Sequence, residues 1–245
     1  MKSPVILLLC ILLCLATCGC TQAPQPAAVP TSPGTIPSIT LSSASPNATF
    51  SLDPGVIVVS FRAESAQDME LYLSNLTQGY GEGTRFLTNG PYAGSVAYQV
   101  PAKDTYHLNI SGTGPWTATV APLVTTSPLK APVNLSGTGT QVTPVFSLEK
   151  GEYFFTRNET GLASPIYQLF FVNGSPLMDA NGTFSQPYFG TLSPHPFVFV
   201  TIPENGTYYL SALSRNNPGG WSVSLSPVPK IPHMGPGPAV YPTAP

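Results

Sequence analysis

The sequence predicts an all-β protein: two tandem antiparallel β-sandwiches of jelly-roll type, following a signal peptide and a Pro-rich tether. Three observations predict it. The chain repeats itself once, at an offset that grows from 96 to 105 residues. Its apolar residues alternate with polar ones at period two, the mark of half-buried strands. No run of about eleven residues has a helical apolar stripe, and Pro and Gly, 29 and 22 of the 245 residues, break nearly every interval of about ten.

Residues 1–19 read as a lipoprotein-type signal peptide. Lys2 supplies the positive start, Val5 to Ala16 form one apolar run, and small residues lead into a cysteine. That run is shorter than the roughly 20 residues a membrane span needs. Its end resembles a prokaryotic lipobox, in which the Cys after a small residue receives lipid and becomes the mature N-terminus. Cys20 is the lipidation candidate, because Gly19 precedes it and the polar tether follows. Thr17 stands where that family usually has Leu. Cys18 is the alternative, with Leu15 correctly spaced, and a plain secretory signal with incidental cysteines is the third reading. All three export the protein. Residues 20–38, rich in Pro and small polar residues, form a semi-extended tether.

Residues 39–122 are the first sandwich repeat and 132–229 the second, joined by 123–131; a Pro/Gly-rich tail, 230–245, follows. Phe50-Ser51-Leu52-Asp53-Pro54-Gly55 returns as Phe146-Ser147-Leu148-Glu149-Lys150-Gly151, and Pro91-Tyr92-Ala93-Gly94 as Pro187-Tyr188-Phe189-Gly190, both at an offset of 96. Thr105-Tyr106-His107-Leu108 returns as Thr207-Tyr208-Tyr209-Leu210 at 102, and the strand opened by Trp116 as that opened by Trp221 at 105. Matched order with two small insertions marks a duplicated unit. In the first copy Val56 to Phe61 is an apolar β-branched run. Tyr106, Leu108 and Ile110 share one face, and Trp116, Ala118 and Val120 another. The second copy repeats this with Phe197 to Val200, then Tyr208, Leu210 and Ala212, then Trp221, Val223 and Leu225. Antiparallel sheets that each bury one face pair into sandwiches.

An F-x-L-x-x-G opening, an apolar strand, P-Y-x-G, G-x-Y-x-L and a closing G-x-W-x-x-x-V resemble the prepeptidase-C-terminal-like β-sandwiches of secreted and envelope proteins. The resemblance covers both copies through core and turn positions, with Asp104 in the first where Gly206 stands in the second. It implies a jelly-roll-like sandwich in an extracellular accessory role and no catalytic residues.

Charge is scarce: 9 Lys plus Arg and 11 Asp plus Glu, 8% of the chain, so no basic field exists to hold a nucleic-acid backbone. All four cysteines lie within the first twenty residues, so the remainder has no disulfide framework. Eight of the eleven asparagines open Asn-x-Ser/Thr sequons, at Asn47, Asn75, Asn109, Asn134, Asn158, Asn173, Asn181 and Asn205; these are the candidate N-glycosylation sites. Three precede Gly, as tight hairpin turns with two positive-φ residues also require. His107 reads as an exposed strand histidine, and His195 and His233 as loop and tail residues. No two share metal-ligand spacing, so no metal or other cofactor is expected. Asp179-Ala180-Asn181-Gly182 reads as a turn rather than a calcium loop. No Gly-x-Ser-x-Gly elbow and no phosphate loop occurs. Trp116 and Trp221 read as core plugs. Tyr80, Tyr92, Tyr188 and Phe189 are the aromatics set aside for ligand contact. The sequence therefore points to a non-catalytic surface lipoprotein with a structural, adhesive or accessory role on the outer face of the cell membrane. Its partners would be the membrane, through an N-terminal lipid, and envelope glycans or other surface proteins. A glycan- or small-ligand-binding module is the alternative.

Overall fold

A computed structural model of the chain describes residues 38–160, 165–178, 197–214 and 219–229. Cys20, Asn181, His195, His233, Tyr188, Phe189, the Asp179 turn, the leader, nearly all of the tether and the tail lie outside them. Seventeen strands and no helix occur among the described residues. The first eight are β1 (Ile39–Ser42), β2 (Asn47–Leu52), β3 (Gly55–Ala63), β4 (Gln67–Asn75), β5 (Gly81–Thr88), β6 (Tyr92–Val100), β7 (Asp104–Gly112) and β8 (Trp116–Pro122). They form two sheets, ordered β1-β8-β3-β6 and β2-β7-β4-β5. This is the eight-stranded jelly roll of two Greek keys. We call it lobe 1.

Lobe 2 comprises β9 (Leu129–Lys130), β10 (Val133–Thr138), β11 (Gln141–Val142), β12 (Phe146–Leu148), β13 (Gly151–Glu159), β14 (Ile166–Phe171), β15 (Phe197–Ile202), β16 (Gly206–Leu213) and β17 (Gly220–Pro227). One sheet runs β10-β17-β13-β15; in the other, β16 pairs with β14, β12 and β11, and β9 runs parallel to β12. Strand for strand, β10, β12, β13, β14, β15, β16 and β17 repeat β1, β2, β3, β4, β6, β7 and β8. The pairing fixes residue equivalence. Ala63 faces Trp116 as Glu159 faces Trp221, and Leu71 faces Ile110 as Tyr167 faces Ala212.

Each lobe closes on its own core. Ile57, Val59 and Phe61 of one sheet meet Met69, Leu71 and Leu108 of the other in lobe 1, and Tyr153, Phe155 and Leu225 meet Leu169, Tyr208 and Leu210 in lobe 2. Both tryptophans are buried in these cores, and Trp221 Nε1 donates to the Gly139 carbonyl at 2.9 Å. Gly55 and Gly151 open β3 and β13 with the same φ of +153°, which only Gly adopts readily. Tyr106 donates to Ala102 O and Tyr208 to Glu204 O, at 2.9 and 2.8 Å; each ties a strand start to the loop four residues back. This matches the tyrosine corner of Greek-key sandwiches.

The lobes also bury surface against each other. Val56, Val58 and Ala97, which point away from the lobe 1 core, pack with Tyr209, Phe170 and Val142, which point away from the lobe 2 core. Phe170 and Tyr209 stack at 5.2 Å and 9° within this layer. Beside it Tyr92 makes a polar clasp: its hydroxyl accepts from Thr140 N at 2.6 Å and donates to Ser214 O at 3.2 Å. Ser95 N donates to Thr140 O, and Ser95 Oγ accepts from Val142 N. Leu123 and Leu129, in the predicted join, bond back to Val56 O and Val145 O.

Candidate functional site

Alternation along β13 sends Tyr153 and Phe155 inward, so Phe154, Thr156 and Asn158 face outward. Asn134 and Ser136 of β10 and Ser222 and Ser224 of β17 join them, in register across the sheet. Thr156, Asn158, Asn134, Ser136, Ser222 and Ser224 line a shallow groove of about 340 Å³, which Arg157 also reaches. Its outward groups are hydroxyls and amides, suited to neutral hydrogen bonding rather than to acid or base chemistry. At the β15 edge of the same face stand Phe154, Phe197 and Phe199, with ring centroids 5.0 Å (154–199), 5.9 Å (154–197) and 6.1 Å (197–199) apart. Phe197 is 41% and Phe199 59% exposed.

Below the groove, three positions depart from lobe 1. Phe61, Ala63 and Leu71 of the lobe 1 core become Arg157, Glu159 and Tyr167. Arg157 lies 3.2 Å from the Glu159 carboxylate, both side chains under 20% exposed. Tyr167 donates to the same carboxylate oxygen at 3.1 Å. Burial first, and then the Glu159 charge, push the Tyr167 hydroxyl up. Trp221 meets Tyr167 edge-on at 5.9 Å.

Of the sequon asparagines, Asn47, Asn109, Asn134, Asn158, Asn173 and Asn205 are exposed. Asn47 and Asn109 are directly opposed across β2 and β7, with Asn109 Nδ2 donating to Asn47 Oδ1 at 2.6 Å. Asn75 differs from these six in being buried. Its side chain is 3% exposed, and its Oδ1 accepts from Thr77 N and Gln78 N. The Nδ2 that would carry a sugar is buried. The turn expectation also changes. Of Asn173-Gly174 only Gly174 has positive φ, in a three-residue loop whose Gly174 N bonds to Phe171 O. Asn205 caps Lys150 N at 2.7 Å instead of sitting in a two-residue hairpin turn.

His107 is half-buried on the outer face of β7, with Nδ1 3.0 Å from Thr49 Oγ1. Tyr92, set aside for ligand contact, is 5% exposed and belongs to the clasp between lobes. Tyr80 is exposed. No three His, Cys, Asp or Glu side chains converge among the described residues. The Phe154–Phe197–Phe199 cluster was missed by sequence reasoning. Its signal was Phe197-Val198-Phe199, in which outward phenylalanines bracket a valine that packs against the core.

No family model matches the chain, and no curated protein matches it. Among solved structures it is similar to tripeptidyl peptidase 2 at 10% identity and a TM-score of 0.26, over 78% of this chain and 22% of that one. The chain thus spans under a quarter of that protein's length. It is also similar to the STIV MCP at 10% identity and a TM-score of 0.19, over 78% of this chain and 97% of that one. Likenesses this slight bear on no function, and the all-β architecture stands on the strand pairing itself.

Proposed function

We propose that this chain is a non-catalytic cell-surface lipoprotein whose paired sandwiches serve a structural or adhesive role. The observation that carries the reading is the junction between lobes. An apolar layer around Val56 and Tyr209, with the Tyr92 clasp beside it, joins two jelly rolls into one compact unit. Two modules held without a flexible hinge keep a fixed distance between their outer faces, which suits a spacer or scaffold on an envelope. Exposed sequon asparagines on those faces fit a surface hydrated by sugars where charge is scarce. Metabolic labelling with a radioactive fatty acid tests the anchor: label should enter the full chain and be lost in Cys20→Ala. A chain that is exported yet never labelled would remove the anchor and leave the scaffold reading standing.

A glycan-binding role is favoured by one observation, the groove lined by Asn134, Ser136, Thr156, Asn158, Ser222 and Ser224. Its neutral donors and acceptors match sugar hydroxyls. An envelope-glycan array probed with the full chain should show binding that is lost in Thr156→Leu; a blank array would end this reading.

A further inference from the structure

We propose that the Phe154–Phe197–Phe199 face of lobe 2 docks a second copy of this chain, the same face on both partners. The duplication supplies the argument. Phe154 pairs with Phe199 and Thr156 with Phe197, as Val58 pairs with Ala97 and Ser60 with Ser95. Phe154, Phe199 and Phe197 are therefore the lobe 2 counterparts of Val58, Ala97 and Ser95. In lobe 1 those three residues lie under lobe 2: Val58 and Ala97 pack in the apolar layer between lobes, and Ser95 bonds to Thr140 and Val142. This surface of the repeat is thus one that a neighbouring sheet covers. In lobe 2 it has larger and more apolar side chains than in lobe 1, yet Phe197 and Phe199 stand exposed.

The occupant follows from what the chain offers. A head-to-tail stack would repeat the internal junction and would need the lobe 1 counterpart of the Phe170–Tyr209 pair. That counterpart is Ser74–His107, in register at the same place. It is polar, and the directly opposed Asn47 and Asn109 lie on the same outer face. An apolar cluster gains little against it, because phenylalanine rings give no hydrogen-bond partner in place of the water they displace from this polar face, and that costs free energy. Pairing of like faces puts phenylalanine on phenylalanine and closes as a two-fold dimer, the commonest form of self-association. A sugar fits less well: the rings lie at 41° to 89° to one another and offer edges rather than a flat stacking platform.

The test uses the purified full chain in detergent, with a photoreactive phenylalanine analogue at position 199 or, as a control, at the exposed position 80 on lobe 1. Irradiation should give a species of twice the chain mass from position 199 and not from position 80. Adding Phe197→Glu should cut its yield by about tenfold or more, as expected when an unpaired charge is forced into an apolar contact. Phe197→Ser, a milder change at the same exposed position, should cut it less. No cross-link from 199, equal cross-links from both positions, or a yield indifferent to Phe197→Glu would each overturn the proposal, as would displacement of the cross-link by an envelope glycan.

Discussion

Three residues show how a copied scaffold diverges. Arg157, Glu159 and Tyr167 occupy positions that are plain core in lobe 1, and they changed as a contacting set. An ion pair this enclosed is costly to break and cheap to replace whole. Glu159→Ala should destabilise by about 2–3 kcal/mol, since it removes the one carboxylate oxygen that both Arg157 and the Tyr167 hydroxyl contact in this enclosed site. Restoring the lobe 1 residues together, Arg157→Phe with Glu159→Ala, should cost less than the sum of the singles; chemical denaturation in a double-mutant cycle reads the difference. The sequons were legible in part. Asn75 continues the Met69, Leu71, Leu73 face, so its inward direction was already written in the alternation; Asn109, between Leu108 and Ile110, had to face out. Peptide mass spectrometry of the native protein should accordingly find sugar at exposed sequons and none at Asn75.

Strands tell the reader which of their faces are covered. β4 alternates cleanly and has one wet face, whereas β3 opens Val56-Ile57-Val58-Val59 and β14 ends Leu169-Phe170-Phe171, apolar on both sides. Such runs mark sheets packed on two faces. The junction between lobes was therefore present in the sequence as the continuous apolar run of β3, but a run says nothing about which surface it meets. That pairing arises in three dimensions, from β6 and β11 approaching so closely that a Cβ on Gly94 would lie 2.8 Å from Thr140 O. Gly94→Ala should wedge the junction and destabilise by about 1–3 kcal/mol. Gly151→Ala has open space around it, and its cost should be backbone strain alone, about 1–2 kcal/mol. Thermal melts of both variants check these values.

At the scale of the molecule, two cores and the layer between them should melt together. Tyr92→Phe leaves the buried Thr140 N without its partner, at about 1–3 kcal/mol, and should broaden a single calorimetric transition or split it in two. Alkali should act on the whole unit. Burial raises the hydroxyls of Tyr92, Tyr98 and Tyr209, and Tyr208 is pushed up to about 12. In the unfolded chain these groups ionise near 10. Their contribution is thus complete below pH ~10 and lost as pH climbs toward the folded-state values, because the unfolded state then binds fewer protons. The phenolate absorbance that these four buried tyrosines contribute should rise with unfolding rather than ahead of it.

The join itself behaves differently from its surroundings. Leu123 is buried and Leu129–Lys130 is stitched to β12, yet residues 124–127 between them are exposed. A protease should be able to cut there. Because the severed halves are still held through Val56, Tyr209 and Tyr92, the clipped protein should run as two fragments on a denaturing gel and leave a native sizing column as one. Proteolytic nicking would thus be silent to any process that senses only whether the two ends stay together.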